Sequence, residues 1–284
     1  MKEHDFIKII KEQTDNSFIG DDCAYLKELG IVITQDNFIE DVHFKTEWAT
    51  PFQIGYKAAA VNISDVLASG AKPAYLSVGL SLPSYVNNDF ISELYCGIKK
   101  GAFGAEVIGG DITGGDKIFI SITAIGKTEG RKISSRKNAK EGFVIITKGI
   151  YGESSKGLSE LQAGRKSSSA IRAHLEPILD VKFSEDVSTH IQEEYAMMDT
   201  SDGLADALFQ IAKASEVTIH SNKICGMFGA EDYNLVAAVP EEFAKTLNNI
   251  NIIGKVTKYK DAYLIIDNKK YNDYNDLNLY NHFK

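Results

Sequence analysis

The chain has 284 residues, of which 44% are hydrophobic and 25% are charged, so it is long enough to bury the core of two domains or one large one. A formal net charge of −8 argues against nonspecific binding to nucleic acid or to an anionic membrane, because both need a basic surface. Three widely spaced cysteines argue against a disulfide framework and a zinc site. No apolar run reaches the roughly 18 residues of a membrane span. From these features the sequence predicts a cytoplasmic protein.

Strands and helices alternate along the first half of the chain. The spacing of apolar residues predicts, in chain order, a polar helix over 2–13, a strand over 31–36, a helix over 51–69, a strand over 75–82, a helix over 90–98 and strands over 106–111 and 118–125. The helix over 51–69 is rich in alanine, and Asn62 and Asp65 share one of its faces, which favours close packing with Asp65 directed into a cleft. Residues 127–142 are polar and basic, which indicates a domain boundary.

The second half continues the alternation. Strands are predicted over 143–147, 217–220, 234–239, 252–257 and 262–267, with helices after Gly157, after Gly203 and over 241–249. His174, His190 and His220 belong to no recognisable motif and are expected on the surface. The overall pattern predicts α+β or α/β layers.

The segment 199–203 (Asp-Thr-Ser-Asp-Gly) organises this half of the chain. It follows the short apolar run 195–198, which predicts a strand that delivers two carboxylates to its carboxyl end. A helix begins at Leu204, and Ser201 or Asp202 is expected to cap it. A simple helix cap and a metal site are both open interpretations of this segment.

Seven aspartates recur at strand ends, beside glycines or on the alanine-rich helix. A single one would be structural, but several that converge would repel each other unless cations lay between them. Mg²⁺ prefers oxygen ligands and keeps phosphate oxygens in its coordination shell, so the set predicts a site for Mg²⁺ and a polyphosphate. Asp21 is expected to cap backbone groups or support its neighbour. The seven residues are Asp21, Asp22, Asp36, Asp65, Asp111, Asp199 and Asp202.

The common phosphate-binding motifs do not account for these aspartates. The segment Gly126-Lys127-Thr128 lacks the first glycine of a P-loop, since Ser121 stands in its place. The chain also lacks a G-x-G-x-x-G that opens a helix, a kinase H-R-D loop and a G-x-S-x-G nucleophile elbow. A phosphoryl-transfer enzyme with this sequence therefore belongs to another fold.

Seven motifs in order resemble those of the thiamine-monophosphate kinase family, within the superfamily that includes aminoimidazole ribonucleotide synthetase. They extend from about residue 19 to residue 283, nearly the whole chain. The motifs are Ile-Gly-Asp-Asp-Cys-Ala (19–24), Asp-Val-His-Phe (41–44), Lys-Ala-Ala-Ala-Val-Asn-Ile-Ser-Asp (57–65), Ile-Gly-Gly-Asp (108–111), Met-Asp-Thr-Ser-Asp-Gly-Leu (198–204), Ala-Glu-Asp-Tyr (230–233) and Tyr-Asn-His-Phe (280–283).

The resemblance implies a two-domain α+β fold of the aminoimidazole ribonucleotide synthetase type. Residues 1–135 would form an ATP- and Mg²⁺-binding domain that makes a homodimer through its sheet, and residues 136–284 would complete the nucleotide and substrate site. ATP would lie between the two halves of each chain, near the dimer interface.

The resemblance also assigns roles to individual residues. Several Mg²⁺ ions would be held by Asp22, Thr34, Asp36, Asp65, Asp111, Asp199 and Asp202. ATP would be contacted by Gly110, Asp111, Arg136 and Ser201, and an arginine suits phosphate because its guanidinium is a rigid fork of donors. Thiamine monophosphate would be contacted by His43, Glu231 and Tyr280; the ring of Tyr280 could stack on the substrate, and Glu231 suits its cationic or aminopyrimidine part.

The implied reaction is direct in-line transfer of the ATP γ-phosphoryl group to thiamine monophosphate. The acceptor phosphate is already a nucleophilic anion, so no general base and no covalent enzyme intermediate are assigned. Gln35, Ile112 to Gly115 and Ala230 depart from the family pattern. Two alternatives remain open: another ATP-dependent enzyme of the superfamily, for which Cys23 would be the candidate nucleophile, and a nucleotide-binding paralogue with weakened catalysis.

Overall fold

A computed structural model describes residues 3–14 and 18–277, and it contains two β-sheets with helices between and around them. The first sheet has the strand order β1-β2-β5-β3-β4. Its strands are β1 (Ala24–Leu26), β2 (Ile31–Ile39), β3 (Lys72–Leu82), β4 (Glu106–Gly114) and β5 (Phe119–Lys127). Only β3 and β4 pair in parallel, and the other neighbours are antiparallel.

Three helices belong to this half of the chain: α1 (Glu3–Thr14), α2 (Pro51–Ala68) and α3 (Asn88–Gly101). A reciprocal cap begins α2, because Thr50 Oγ1 accepts from the Gln53 amide and the Gln53 side chain accepts from the Thr50 amide. Gly70 follows its end with a φ of +83°, as a glycine after a helix commonly does. Fourteen of the 18 residues of α2 are buried.

The second sheet has seven strands in the order β12-β11-β8-β10-β6-β9-β7. These are β6 (Phe143–Thr147), β7 (Ala196–Asp199), β8 (Val217–Ser221), β9 (Leu235–Pro240), β10 (Asn251–Lys258), β11 (Leu264–Ile266) and β12 (Lys269–Tyr271). The accompanying helices are α4 (Glu153–Gln162), α5 (Ser169–Leu175), α6 (Val181–His190), α7 (Leu204–Ala214) and α8 (Glu241–Ala244).

Two buried clusters form the core. The larger one joins the inner face of the first sheet, through residues such as Val32, to α2 and to residues of the second half such as Val187 and Met197. The smaller one lies between the second sheet and α7, around Phe209 and Val236. The helix α2 is thus shared by the two halves of the chain. Among the described residues, no helix combines the length and apolar character that a membrane crossing requires.

The predicted strands of the first half and the helix over 51–69 are confirmed to within a few residues, and one prediction in the second half is wrong. The helix predicted over 241–249 is the single turn α8, because the Thr246 hydroxyl donates to the Phe243 carbonyl and Asn249 adopts a φ of +56°. The polar segment that follows α4 contains two further helices, α5 and α6.

The contact between α2 and α3 depends on glycine. A Cβ atom at Gly97 would lie 2.0 Å from the Phe52 carbonyl oxygen, and one at Gly55 would lie 2.0 Å from the Leu94 carbonyl oxygen. The two helix backbones therefore approach closely enough that any larger side chain must separate them.

We expect Gly97→Ala to destabilise the protein by about 1–3 kcal/mol, which lowers Tm by several degrees, because overpacking forces the helices apart. Cys96→Ala is the matched control, since Cys96 is the exposed neighbour on the same helix. Thermal unfolding measures both variants. An equal Tm for the two variants would contradict the close-contact argument.

Candidate functional site

A cavity of about 910 Å³ opens between the two halves of the chain. The first half lines it with β2, the loop after β2 and α2, and the second half lines it with the ends of α4 and α5 and the segments around 199–202 and 231–233. Most of the side chains expected at a functional site line this cavity: Asp22, Thr34, Asp36, His43, Asp65, Arg136, Asp199, Ser201, Asp202 and Glu231.

Three carboxylates converge at one end of the cavity. Asp22 precedes β1, Asp65 lies in the last turn of α2, and Asp199 ends β7. One oxygen from each of the three lies within 4.8 Å of the others. This separation allows a single cation to contact all three, so the donor set fits a hard divalent ion.

Hydroxyl groups hold these carboxylates in place. Thr34 Oγ1 donates to Asp65 Oδ2 over 2.7 Å, and Ser64 Oγ on α2 donates to Asp199 Oδ2 over 2.7 Å. Ser201 Oγ donates to the other oxygen of Asp199 over 3.1 Å. Each bond leaves other lone pairs of the carboxylate available, as a metal ligand requires.

The electrostatics of this end also fit a cation. Burial, followed by repulsion from Asp36 and Asp199, raises the pKa of Asp65 well above its ordinary range. Burial and the nearby charge of Asp22 raise the pKa of Asp199 from 3.8 to about 7. Buried carboxyls that resist ionisation gain most when a positive ion compensates their charge.

Arg136 supplies a positive charge at the same end. Its Nη2 atom lies 2.7 Å from Asp22 Oδ1. Asp21 accepts from the Arg136 amide over 2.7 Å, so its expected role as a backbone cap is confirmed. The two adjacent aspartates therefore fix the arginine by its backbone and by its guanidinium.

The opposite end of the cavity is organised around Glu231. Its carboxylate lies 3.1 Å from Lys57 Nζ and 3.4 Å from His174 Nδ1. His43 lies nearby, stacks on Phe38 at 5.5 Å and accepts through Nδ1 from the Ile39 amide over 3.1 Å, which assigns the proton of a neutral ring to Nε2. Trp48 closes this wall beneath the Lys45 ammonium, 4.8 Å away.

Gly110 and Asp111 lie apart from the cavity. Cross-strand partners in β2, β5, β3 and β4 place Asp111 in one row with Asn37, Ser121 and Gly79, three strands from β2. At about 4.8 Å per strand, Asp111 lies about 14 Å from the position of Asn37 on β2. Because successive side chains alternate between faces, Asp111 shares the sheet face of Asn37 and lies on the face opposite to that of Asp36. One chain alone does not bring Asp111 to the other carboxylates. Tyr280 lies outside the described residues.

The cap predicted for α7 is wrong. The capping position is Gly203, and neither Ser201 nor Asp202 supplies a side-chain cap. The Met227 carbonyl accepts from the Ala205 amide over 2.8 Å and satisfies the start of the helix instead. Gly203 has a φ of +106°, and a Cβ there would lie 2.7 Å from the Gly229 carbonyl oxygen, so this turn requires glycine.

Sequence reasoning missed three residues in or beside the site. His174 was expected on the surface, but it is 3% exposed because α5 packs against α4 and also contacts α2. Lys57 lies eight residues before Asp65 and therefore shares its helix face. A lysine on an otherwise alanine-rich helix is the signal that could have identified it. Asp206 interrupts the apolar face of α7, and burial together with Asp202 raises its pKa to about 7.

Comparisons with known proteins agree with this geometry. The family model described as "AIR synthase related protein, N-terminal domain" matches residues 20–128. The chain is 32% identical over 327 aligned positions to the thiamine-monophosphate kinase of Bacillus subtilis strain 168, and the alignment covers 100% of both proteins.

Solved structures give the same result. The chain is similar to AaThiL complexed with AMPPCP and TMP, with 28% identity, a TM-score of 0.89 and coverage of 99% of this chain and 97% of that one. It is also similar to thiamine monophosphate kinase from Aquifex aeolicus, with 28% identity, a TM-score of 0.85 and coverage of 95% and 98%. The predicted α+β fold and the family resemblance are confirmed.

The carboxylate cluster predicts a pH-dependent response to metal. Because the folded protein raises the pKa of Asp199 from 3.8 to about 7, the stability that protonation provides is lost as the pH rises through that range. Mg²⁺ compensates the released charge, so we expect it to raise Tm more at pH 8 than at pH 5, by about 2–4 °C per kcal/mol of stabilisation.

Calorimetry of metal-depleted protein with added MgCl₂ measures this response. Asp65→Asn removes one repelling charge, so it should raise Tm without metal at pH 8 and reduce the gain from Mg²⁺. Equal Mg²⁺ gains at the two pH values would contradict the assignment.

Proposed function

The chain belongs to the thiamine-monophosphate kinase family, and we propose that it transfers the γ-phosphoryl group of ATP to thiamine monophosphate, giving thiamine diphosphate and ADP. The observation that carries the proposal is the cluster of half-buried Asp22 and Asp65 with buried Asp199 at the end of a cavity between the two halves of the chain. The full-length likeness to the Bacillus subtilis kinase identifies the substrate class.

The substrate orientation follows from the direction of α2. Lys57, Val61 and Asp65 recur every four residues on one helix face, which spans about 12 Å between the first and the last. The phosphates of both substrates lie at the carboxylate end near Asp65. The ring system of thiamine lies at the other end, beside Glu231 and His43.

The reaction requires positioning and charge neutralisation. The terminal phosphate oxygen of thiamine monophosphate forms the new bond to the γ-phosphorus as the bond to the ADP oxygen breaks. Arg136 and Ser201 orient the nucleotide phosphates, and His43 and Glu231 orient the acceptor. Mg²⁺ supplies charge neutralisation when bound, and its ligands in the first half and in the segment 199–202 are Asp22, Thr34, Asp36, Asp65, Asp199 and Asp202.

A homodimer completes the site. Every residue of β4 is exposed in the single chain, including Ile108 at 57% and Ile112 at 62%, and an uncovered edge strand of this kind favours pairing with a second copy. In such a dimer Gly110 and Asp111 act at the nucleotide site of the second copy. This arrangement accounts for their distance from Asp36 within one chain.

Two broader assignments accompany the proposal. The domains 1–135 and 136–284 divide the chain between β5, which ends at Lys127, and β6, which begins at Phe143. A cytoplasmic location agrees with three free cysteines, Cys23, Cys96 and Cys225, since disulfides are rare in reducing compartments.

A turnover assay tests the proposed activity. Purified protein with ATP, Mg²⁺ and thiamine monophosphate should form thiamine diphosphate and ADP, whereas unphosphorylated thiamine should form no product. Asp65→Asn should lower kcat by about 10²-fold or more, because charge neutralisation is the principal catalytic contribution. Asp116→Asn, at an exposed loop outside the cavity, is the matched control. Absence of turnover in the wild-type protein with several divalent metals would refute the proposal.

Mixing two inactive variants tests the shared site. If Asp111 acts at the second copy, a heterodimer of Asp111→Asn and Asp65→Asn contains one intact site and one doubly defective site. Random exchange of subunits should then restore about a quarter of wild-type kcat, since half of the dimers are mixed. No recovery, with dimer exchange verified by mass photometry, would place Asp111 in the site of its own chain.

A further inference from the structure

Lys57 is a buried cation at a position where an alanine-rich helix would be expected to remain apolar. Its side chain is 3% exposed, and its ammonium lies 3.1 Å from Glu231 Oε1. Removing an ammonium from water costs several kcal/mol unless a counter-charge lies close by. Among the described residues it forms no other ion pair, so Glu231 provides that counter-charge from the opposite half of the chain.

The backbone around Glu231 leaves its carboxylate little freedom. Glu231 adopts a φ of +63°, which side chains rarely adopt, and its amide donates to the Ser201 carbonyl over 2.6 Å. The adjacent Asp232 accepts from the amides of Gly152 and Ser154 and caps the start of α4. The loop is therefore anchored on both sides of the residue whose side chain enters the cavity.

His174 contacts the second carboxylate oxygen of Glu231 but adds no positive charge near pH 7. Its Nδ1 atom lies 3.4 Å from Glu231 Oε2 and 3.0 Å from Ser154 Oγ. Burial, and then the nearby Lys57 ammonium, lower the pKa of His174 to about 4, so the ring is neutral near pH 7. Lys57 is thus the cation that compensates Glu231.

The ion pair determines what Glu231 offers to a ligand. Burial alone would raise the pKa of this carboxyl, but the pKa is lowered, and the Lys57 ammonium makes the largest contribution to that lowering. An ionised carboxylate accepts hydrogen bonds and donates none, whereas a protonated carboxyl can also donate. Since Lys57 already balances the negative charge, the pair as a whole suits a neutral N–H donor better than a cationic ring.

We propose that Lys57 is a positioning residue that keeps Glu231 as a pure hydrogen-bond acceptor, and that the pair selects the exocyclic amino group of the substrate's pyrimidine ring. The inference rests on the proposed function and makes it more specific. The cationic thiazolium, which carries the phosphate-bearing arm, then lies nearer to the carboxylate end of the cavity.

The test compares thiamine monophosphate with the analogue in which an oxo group replaces the pyrimidine amino group. Wild-type protein should prefer the amino substrate by about tenfold or more in kcat/KM, because the analogue presents an acceptor to an acceptor. In Lys57→Met, burial favours a protonated Glu231 that can donate to the oxo group, so this preference should fall towards unity. The KM for ATP should remain unchanged.

Controls separate this role from a structural one. Lys57→Arg retains the charge and should retain the preference. Lys72→Met removes an exposed lysine that pairs with Glu129 at 3.0 Å and should leave the preference and Tm unchanged. Glu231→Gln should lose the preference, and adding Lys57→Met to it should change the ratio no further, since Lys57 acts through Glu231.

Each outcome has a distinct meaning. If wild-type protein is active but shows no preference, or if folded Lys57→Met keeps the preference, the inference is overturned while the proposed function stands. If wild-type protein does not phosphorylate thiamine monophosphate, the proposed function and this inference both fail. Should Lys57→Met not fold, the double variant leaves no unpaired buried charge and can be compared with Lys57→Arg. A preference in the double variant, or none in Lys57→Arg, would overturn the inference.

Discussion

The constraint on which the rest of the molecule depends is the burial of polar groups on α2. This helix lies between the two halves of the chain, and every polar group that it carries inward must find a partner there. Asp65 accepts a hydrogen bond from the Thr34 hydroxyl, within the first half. Ser64 and Lys57 have carboxylate partners in the second half: Ser64 donates to Asp199, and Lys57 pairs with Glu231. The two halves are therefore joined by the same contacts that shape the two ends of the cavity, and neither end is complete without both.

The two ends balance charge in different ways. At the Glu231 end the balance is internal, because Lys57 compensates the carboxylate within the protein. At the opposite end Asp22 has Arg136, whereas Asp65 and Asp199 are held by neutral hydrogen-bond donors, and burial, followed by repulsion from neighbouring aspartates, raises the pKa of both. Such a cluster lowers the stability of the protein when no cation is bound, and cation binding restores that stability. This compromise is common at functional sites. The polarity of the cavity follows from this contrast.

Sequence reasoning predicted the family, the mixed fold and most of the residues around the cavity, because short motifs preserve the local backbone and the residue types at strand ends. It could not predict which face of β4 carries Asp111. A register shift opposite Leu76 and Ser77 places Val107 and Asp111 on different faces, although strict alternation would put them on the same one. The contact of Lys57 and His174 with Glu231 was equally invisible, because Glu231 lies more than 50 residues from either of them in sequence. The assignment of individual metal and substrate contacts remains a prediction.

Trp48 adds a practical consequence. It is the only tryptophan of the chain, and it lines the cavity at the end assigned to the thiamine ring. Its indole lies beneath the Lys45 ammonium, 4.8 Å from the ring centroid, so its emission is sensitive to charge and solvent at that wall. The protein therefore contains an intrinsic optical probe of occupancy at this end alone, and rapid mixing could follow arrival of the acceptor separately from that of the nucleotide.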